Sequence, residues 1–332
     1  MKASYSVISK MLLSLIVLIL IILVALGFGA ANTSFQDLYE AIIAKSGGSY
    51  YEILREIRIP RVIAAFFVGA ALAVAGAIMQ GMTRNPLADP GLLGLTSGAN
   101  LALALVLAFI PGLPFLMLML SCFIGAAIGM LIVFGIGVSS KNGLSPLKLV
   151  LAGAAVSLFL QAISDGIGIV FNVSKNISMW TAGGLIGTTW PTLIIVPFII
   201  VGLVIAIIYS KQLTLLSLNE ELAIGLGQKT KVIKSLLMLI VIILAGAAVA
   251  LIGSLSFIGL FIPHIVRKIV GADYRFIIPM SIIVGGTFMI FTDFISRKII
   301  APFEIPVAAL VALVGLPFFI YIVKKGGRTF FV

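Results

Sequence analysis

The sequence predicts an all-α polytopic membrane protein of about ten transmembrane helices, and three observations lead there. First, 61% of the 332 residues are hydrophobic and only 10% charged, with a mean hydropathy of +1.28. A soluble chain of this length needs far more charged surface. Second, the apolar residues fall in blocks long enough to cross a hydrocarbon core of about 30 Å, which takes about 20 helical residues. Third, the joints between blocks are short and polar, and no segment shows the alternation over about ten residues that marks a membrane β-barrel.

Taken in order, spans are expected at 8–31, 57–81, 92–110, 114–138, 146–171, 192–210, 235–253, 256–271, 276–295 and 306–323. Lys2 and Lys10 precede the apolar core of the first. Its apolar run, 11–28, outlasts a signal-peptide core of about 7–15 residues and meets no small-x-small cleavage site before Asn32, so it reads as a retained helix. The joints at 32–56, 83–90, 111–114, 139–145, 172–191, 211–234, 271–275 and 296–306 leave no room for a soluble domain, and 1–332 reads as one membrane domain. The weakest span is 256–271, which contains Pro263, His264, Arg267 and Lys268. It is kept as a short or irregular crossing, which a membrane tolerates where protein buries the backbone. Small residues recur every fourth position in Ala65, Gly69, Ala73, Ala77 and Gly81, in Ser121, Gly125 and Gly129, and in Gly246, Ala250 and Ser254. That spacing predicts close helix-to-helix approach.

The formal net charge of +11 does not point to nucleic acid, because Lys and Arg sit at the ends of apolar spans. With both termini cytoplasmic, about 15 of the 22 Lys and Arg fall inside and about 7 outside, which sets the expected orientation. A single cysteine, Cys122, leaves no internal disulfide, and a single histidine, His264, leaves no zinc cluster. The sequence 227–230, Gly-Gln-Lys-Thr, lacks the rest of a phosphate-binding loop, so ATP hydrolysis is not expected of this chain.

Three groups of residues could carry function. The joint at 211–234 holds Leu218, Leu222 and Leu226 at i, i+4 and i+8, with Glu220, Glu221, Ala223 and Ile224 between them. This spacing predicts a short amphipathic helix outside the bilayer, capped by Ser217 or Asn219 and ended by Gly225 or Gly227, whose apolar stripe suits a partner's groove. Arg58 and Arg61 open the second span and Arg297 ends the ninth, on the outer side where basic residues need a reason. They pair locally with Glu52, Glu56, Asp293 or Glu304, or they meet acidic groups on an outer partner. Asp165, one turn from Gln161, is the acid well inside a span: either it faces a water-filled pathway or it lies near a helix end and is satisfied by neighbours.

The run IRIPRVIAAFFVGAALAVAGAIMQGMTRNPLADPGLLGLTSGA, residues 57–99, resembles the signature block of the FecCD-type permeases, membrane subunits of type II ABC importers for iron-siderophores, haem and cobalamin. SFIGLFIPHIVRKIVGADYRFIIP, residues 256–279, resembles a later signature of the same family, as does Glu304-Ile305-Pro306-Val307. The resemblance runs from about residue 55 to 327 and implies a type II ABC importer permease fold in the cell membrane. It implies a second permease subunit, identical or homologous, two ATPase subunits that carry ATP and Mg, and an extracytoplasmic substrate-binding protein, with no cofactor or metal on this chain. By the same resemblance Leu218, Glu220, Glu221, Leu222, Ala223, Gly225, Leu226 and Gly227 contact the ATPase, and Arg58, Arg61 and Arg297 dock the binding protein. Gln161 and Asp165 remain candidates for the translocation pathway. The motif Asn85-Pro86-Leu87-Ala88-Asp89-Pro90 is expected to shape a sharp break, and Pro263-His264 a broken helix rather than an iron site. An iron-siderophore is the expected substrate. Haem or cobalamin is the alternative within the family, and an ion-coupled carrier using Asp165, or a scaffold that transports nothing, the alternative outside it.

Overall fold

The computed structural model describes residues 2–28, 39, 50–138, 146–301 and 303–326. The expected joint at 139–145, most of that at 32–56, and Arg328 lie outside the described residues. Among the described residues the chain forms thirteen α-helices and no strand. They are α1 (Lys2–Gly27), α2 (Ile59–Thr83), α3 (Leu95–Phe109), α4 (Phe115–Val138), α5 (Pro146–Val170), α6 (Ser174–Thr181), α7 (Val196–Ile208), α8 (Ser210–Leu218), α9 (Glu220–Gly225), α10 (Thr230–Ile252), α11 (Ile258–Val270), α12 (Tyr274–Lys298) and α13 (Val307–Gly326). Seven helical stretches among the described residues are long and apolar enough to cross a membrane. The shorter α3, α11 and α13 fill the remaining expected positions.

Helix α2 is the hub. It packs against α10, α11 and α12, and nearly all of its residues are buried. Burial of apolar surface does not hold helices together in lipid, so close approach has to. The stripe of small residues supplies it. A Cβ on Gly69 would collide with the carbonyl of Gly285 in α12, and one on Gly129 in α4 with the carbonyl of Gly94, just before α3. Gly76, outside the expected stripe, presses on Gly259 of α11 in the same way.

The doubtful span turns out as a half-helix. α11 has 13 residues, about 20 Å at 1.5 Å each, against a hydrocarbon core of about 30 Å. Before it the chain runs irregularly from Gly253, at φ 81°, to Phe257, at φ 75°. That backbone lies inside the protein, as a membrane requires. The Asn-Pro-Leu-Ala-Asp-Pro motif makes the break possible. Asn85 Oδ1 accepts from the Leu87 N–H at 3.0 Å, Asp89 Oδ1 from the Gly91 N–H at 3.1 Å, and Asp89 Oδ2 from the Phe257 N–H at 3.0 Å. One buried carboxylate thus joins the two signature blocks and caps α11.

Candidate functional site

Two ends of α2 and one outer helix face hold the candidate residues. Near the C-terminal end of α2 lies the segment α8–α9. Asn219 is extended, at φ −157°, and its Oδ1 accepts from the Glu221 N–H at 2.8 Å, so Asn219 is the cap of α9. Ser217 is not; its hydroxyl donates to the Thr214 carbonyl at 2.7 Å. Gly227, at φ 81°, closes the helix: its N–H donates to Ile224 O at 2.8 Å and that of Gln228 to Ala223 O at 2.9 Å. These two bonds form a Schellman end, in which glycine takes the left-handed position at least cost.

Of the two expected caps Asn219 is the one used, so the expected leucine stripe spans two helices with a corner at Asn219. Leu218 ends α8, and Leu226 follows the last turn of α9. The corner still leaves the expected side chains on the surface: Leu218 is 67% exposed, Leu222 62%, Ile224 56% and Leu226 70%. Ala223 is buried beneath them. Glu221, Gly225 and Gly227 are exposed, and Glu220 binds Lys234 at the foot of α10, 2.6 Å away. The segment is thus clamped at its base and open at its apolar face.

At the opposite end of α2 the three arginines are under the surface, each exposed by 5% or less. A π-helical turn, Ile53–Arg58, leads into α2 and places Arg58 and Arg61 one turn apart. Arg61 Nε donates to Asp293 Oδ1 at 2.9 Å, while Nη1 and Nη2 grip the two oxygens of Glu304 at 2.9 and 2.8 Å. Arg297 Nε reaches Asp293 Oδ2 at 3.1 Å, and Arg58 Nη1 donates to the Leu26 carbonyl at 3.0 Å. The loop bearing Glu304 is pinned by paired bonds between Ser296 and Ile305. The local pairing therefore runs to Asp293 and Glu304, while Glu52 and Glu56 lie exposed. Docking by these guanidinium groups requires that the cluster first open. Fork-shaped pairs of this kind are strong, and a buried charge left without its partner is costly.

Gln161 and Asp165 lie on the outward face of α5. Asp165 is exposed and accepts from Gln161 Nε2 at 2.8 Å. Asn100 Nδ2, from the buried side of α3, donates to Gln161 Oε1 at 3.3 Å. Large apolar side chains, among them Leu158, Phe159 and Ile169, flank this polar pair on the same exposed helix.

The sequence reading missed a fourth group, the buried Gln80 with Arg267 and Tyr274. Pro263 has no N–H, so the Gly259 carbonyl lacks its helical donor. Gln80 Nε2 supplies one at 3.0 Å and reaches the Leu260 carbonyl at 3.0 Å. The signal was present as a lone amide in the Ala- and Gly-rich α2, but nothing local named its partner. His264 packs edge-on against Phe318. Among the described residues no three His, Cys, Asp or Glu side chains gather as a metal site.

Comparison with known proteins follows the same lines. The family model for the FecCD transport family matches residues 16–325. The chain is 45% identical to the iron(3+)-hydroxamate import system permease protein FhuB of Bacillus subtilis over 98% of its own length and 85% of that protein. It is 37% identical to the hemin transport system permease protein HmuU of Yersinia pestis, over 93% and 94% of the two chains. A solved inward-facing ABC transporter assigned to the metal-chelate type superposes with a TM-score of 0.83 at 28% identity, covering 96% of this chain and 99% of that one. Matched over nearly all of its length by sequence and by fold, the chain belongs to the FecCD transport family.

Proposed function

We propose that this chain is the permease subunit of an ATP-driven importer for a ferric siderophore, a hydroxamate first among them. The observation that carries the coupling part is the open apolar corner at Leu218, Leu222, Ile224 and Leu226, built on a clamped base and suited to a groove on an ATPase. The hydroxamate substrate is supported by the 45% identity to a permease of that specificity. Two ATPase subunits, holding ATP and Mg, dock on the cytoplasmic corners of two permease subunits, and a binding protein delivers substrate on the outer side. Both termini and the α8–α9 segment are cytoplasmic, as the concentration of Lys and Arg on that side supports. Arg58, Arg61 and Arg297 receive the binding protein by exchange: its carboxylates compete with Glu304, the more exposed of the two internal acids, for Arg61. Gln161 and Asp165 face the pathway between the two permease subunits.

The test is uptake of a radiolabelled ferric hydroxamate siderophore by cells lacking the chromosomal copy and by cells in which it is restored, with the partner ATPase intact or inactivated. Uptake that needs both chains is the expected result. Uptake that persists without either removes the substrate assignment, and labelled haem in the same cells then distinguishes the hemin reading.

A further inference from the structure

We propose that Gln80, Arg267 and Tyr274 are positioning residues that carry movement of the α8–α9 segment to the broken helix α11. The proposal rests on the reading of that segment as the place where the ATPase pushes. Its basis is a line of hydrogen bonds that passes through the Tyr274 side chain and links four helices, α8, α12, α11 and α2. Thr214 of α8 accepts from the Tyr274 N–H at 3.0 Å, and its single hydroxyl proton is shared between Asp273 Oδ1 at 3.1 Å and the Ser210 carbonyl at 3.0 Å. Asp273, which caps α12, is held well below the usual carboxylate range by the Arg275 guanidinium beside it, so it accepts as a carboxylate. The Tyr274 side chain then turns inward. Its ring lies over Gly81 of α2, where an added Cβ would sit 2.7 Å from the ring and 2.8 Å from Leu213 of α8. The missing side chain at Gly81 is what lets α8 and α12 meet at α2.

From there the line enters the membrane domain. Arg267 Nη2 has two protons and spends both, one on Tyr274 Oη at 3.2 Å and one on Gln80 Oε1 at 3.2 Å. The other end of the Gln80 amide holds the Gly259 and Leu260 carbonyls at the start of α11. Gln80 therefore grips α11 at two points, its first turn and its C-terminal end, on either side of Pro263. A displacement of α8 that moves Thr214 pulls on Tyr274, and through Arg267 and Gln80 it acts on the one turn of α11 that proline has left without its own bond. The same turn is the one Asp89 caps from the other side. A half-helix held from outside by side chains can change angle without unfolding, which a continuous helix resists.

A clamp that merely holds the fold and a link that transmits movement differ in one readout, the substrate carried per ATP hydrolysed. The experiment uses the complete importer, with its ATPases and binding protein, reconstituted in lipid vesicles, and follows ferric hydroxamate uptake and ATP hydrolysis together. Tyr274→Phe removes one oxygen, and Gln80→Met removes all three bonds to α11. Each is expected to assemble and to hydrolyse ATP at the wild-type rate, while uptake per ATP falls about fivefold or more, the size of a typical coupling between sites. The double variant should be no worse than the poorer single one, because both cut the same line. Normal uptake per ATP in Tyr274→Phe, or losses that multiply in the double variant, overturns the proposal. Should Gln80→Met fail to assemble, Tyr274→Phe alone decides. Leu222→Asp runs alongside: if it hydrolyses ATP and transports normally, the reading of α8–α9 falls and this proposal with it. If Leu222→Asp fails while Tyr274→Phe carries substrate normally, only the link falls.

Discussion

The two ends of α2 solve opposite problems. At its N-terminal end three guanidinium groups lie beneath the surface, turned onto two carboxylates and a carbonyl of the same chain. At its C-terminal end four large apolar side chains stand more than half exposed, on a corner whose polar groups are tied down behind them. Charge has been hidden and hydrophobic surface shown, the reverse of what a lone soluble domain does. The difference separates a site that is closed until something opens it from one that is open until something covers it. It also predicts that substitutions at the two ends fail in different ways.

The largest effect on folding belongs to the closed end. Asp293 is 1% exposed and serves both Arg61 and Arg297. Asp293→Asn leaves two buried cations facing one remaining acid, and should cost about 3–5 kcal/mol, seen as a lowered unfolding temperature in detergent. Glu304→Gln, at the edge of the cluster, keeps an oxygen that accepts from Arg61 and should cost less, about 1–2 kcal/mol. Equal losses from the two would mean that the cluster does not divide into a buried centre and an openable rim. At the open end, Asn219→Ala removes a cap and should cost about 1 kcal/mol locally. It would be read as faster amide exchange over α9, with exchange in α2 unchanged.

How far each end could be read from sequence follows from how far apart its partners lie. The corner was legible because its determinants are neighbours: leucines four apart, an asparagine before paired glutamates, a glycine after the last turn. Even so, the spacing of Leu218 and Leu222 reads as one stripe, while the extended backbone at Asn219 sets a corner between them. The arginines were legible as cations out of place. Their partners were not, because Asp293 stands 232 residues from Arg61 and Glu304 stands 243 away. Four acids satisfied the local alternative equally on paper, and packing chose the two distant ones. The half-helix shows both limits together. Pro263 announced an orphaned carbonyl, and Gln80 was a lone amide in an apolar helix, but only the approach of Gly76 to Gly259 brings them within a hydrogen bond.

If the open corner is where the ATPase binds, Leu222 is its most direct handle. Leu222 is 62% exposed, so Leu222→Asp should change the stability of the isolated permease by no more than about 0.5 kcal/mol. Co-purification of the ATPase with the wild-type and Leu222→Asp permeases, each extracted from membranes at the same level, tests this role. The expected variant is folded and membrane-inserted but no longer retains the ATPase. An ATPase retained by Leu222→Asp as firmly as by the wild type would contradict it.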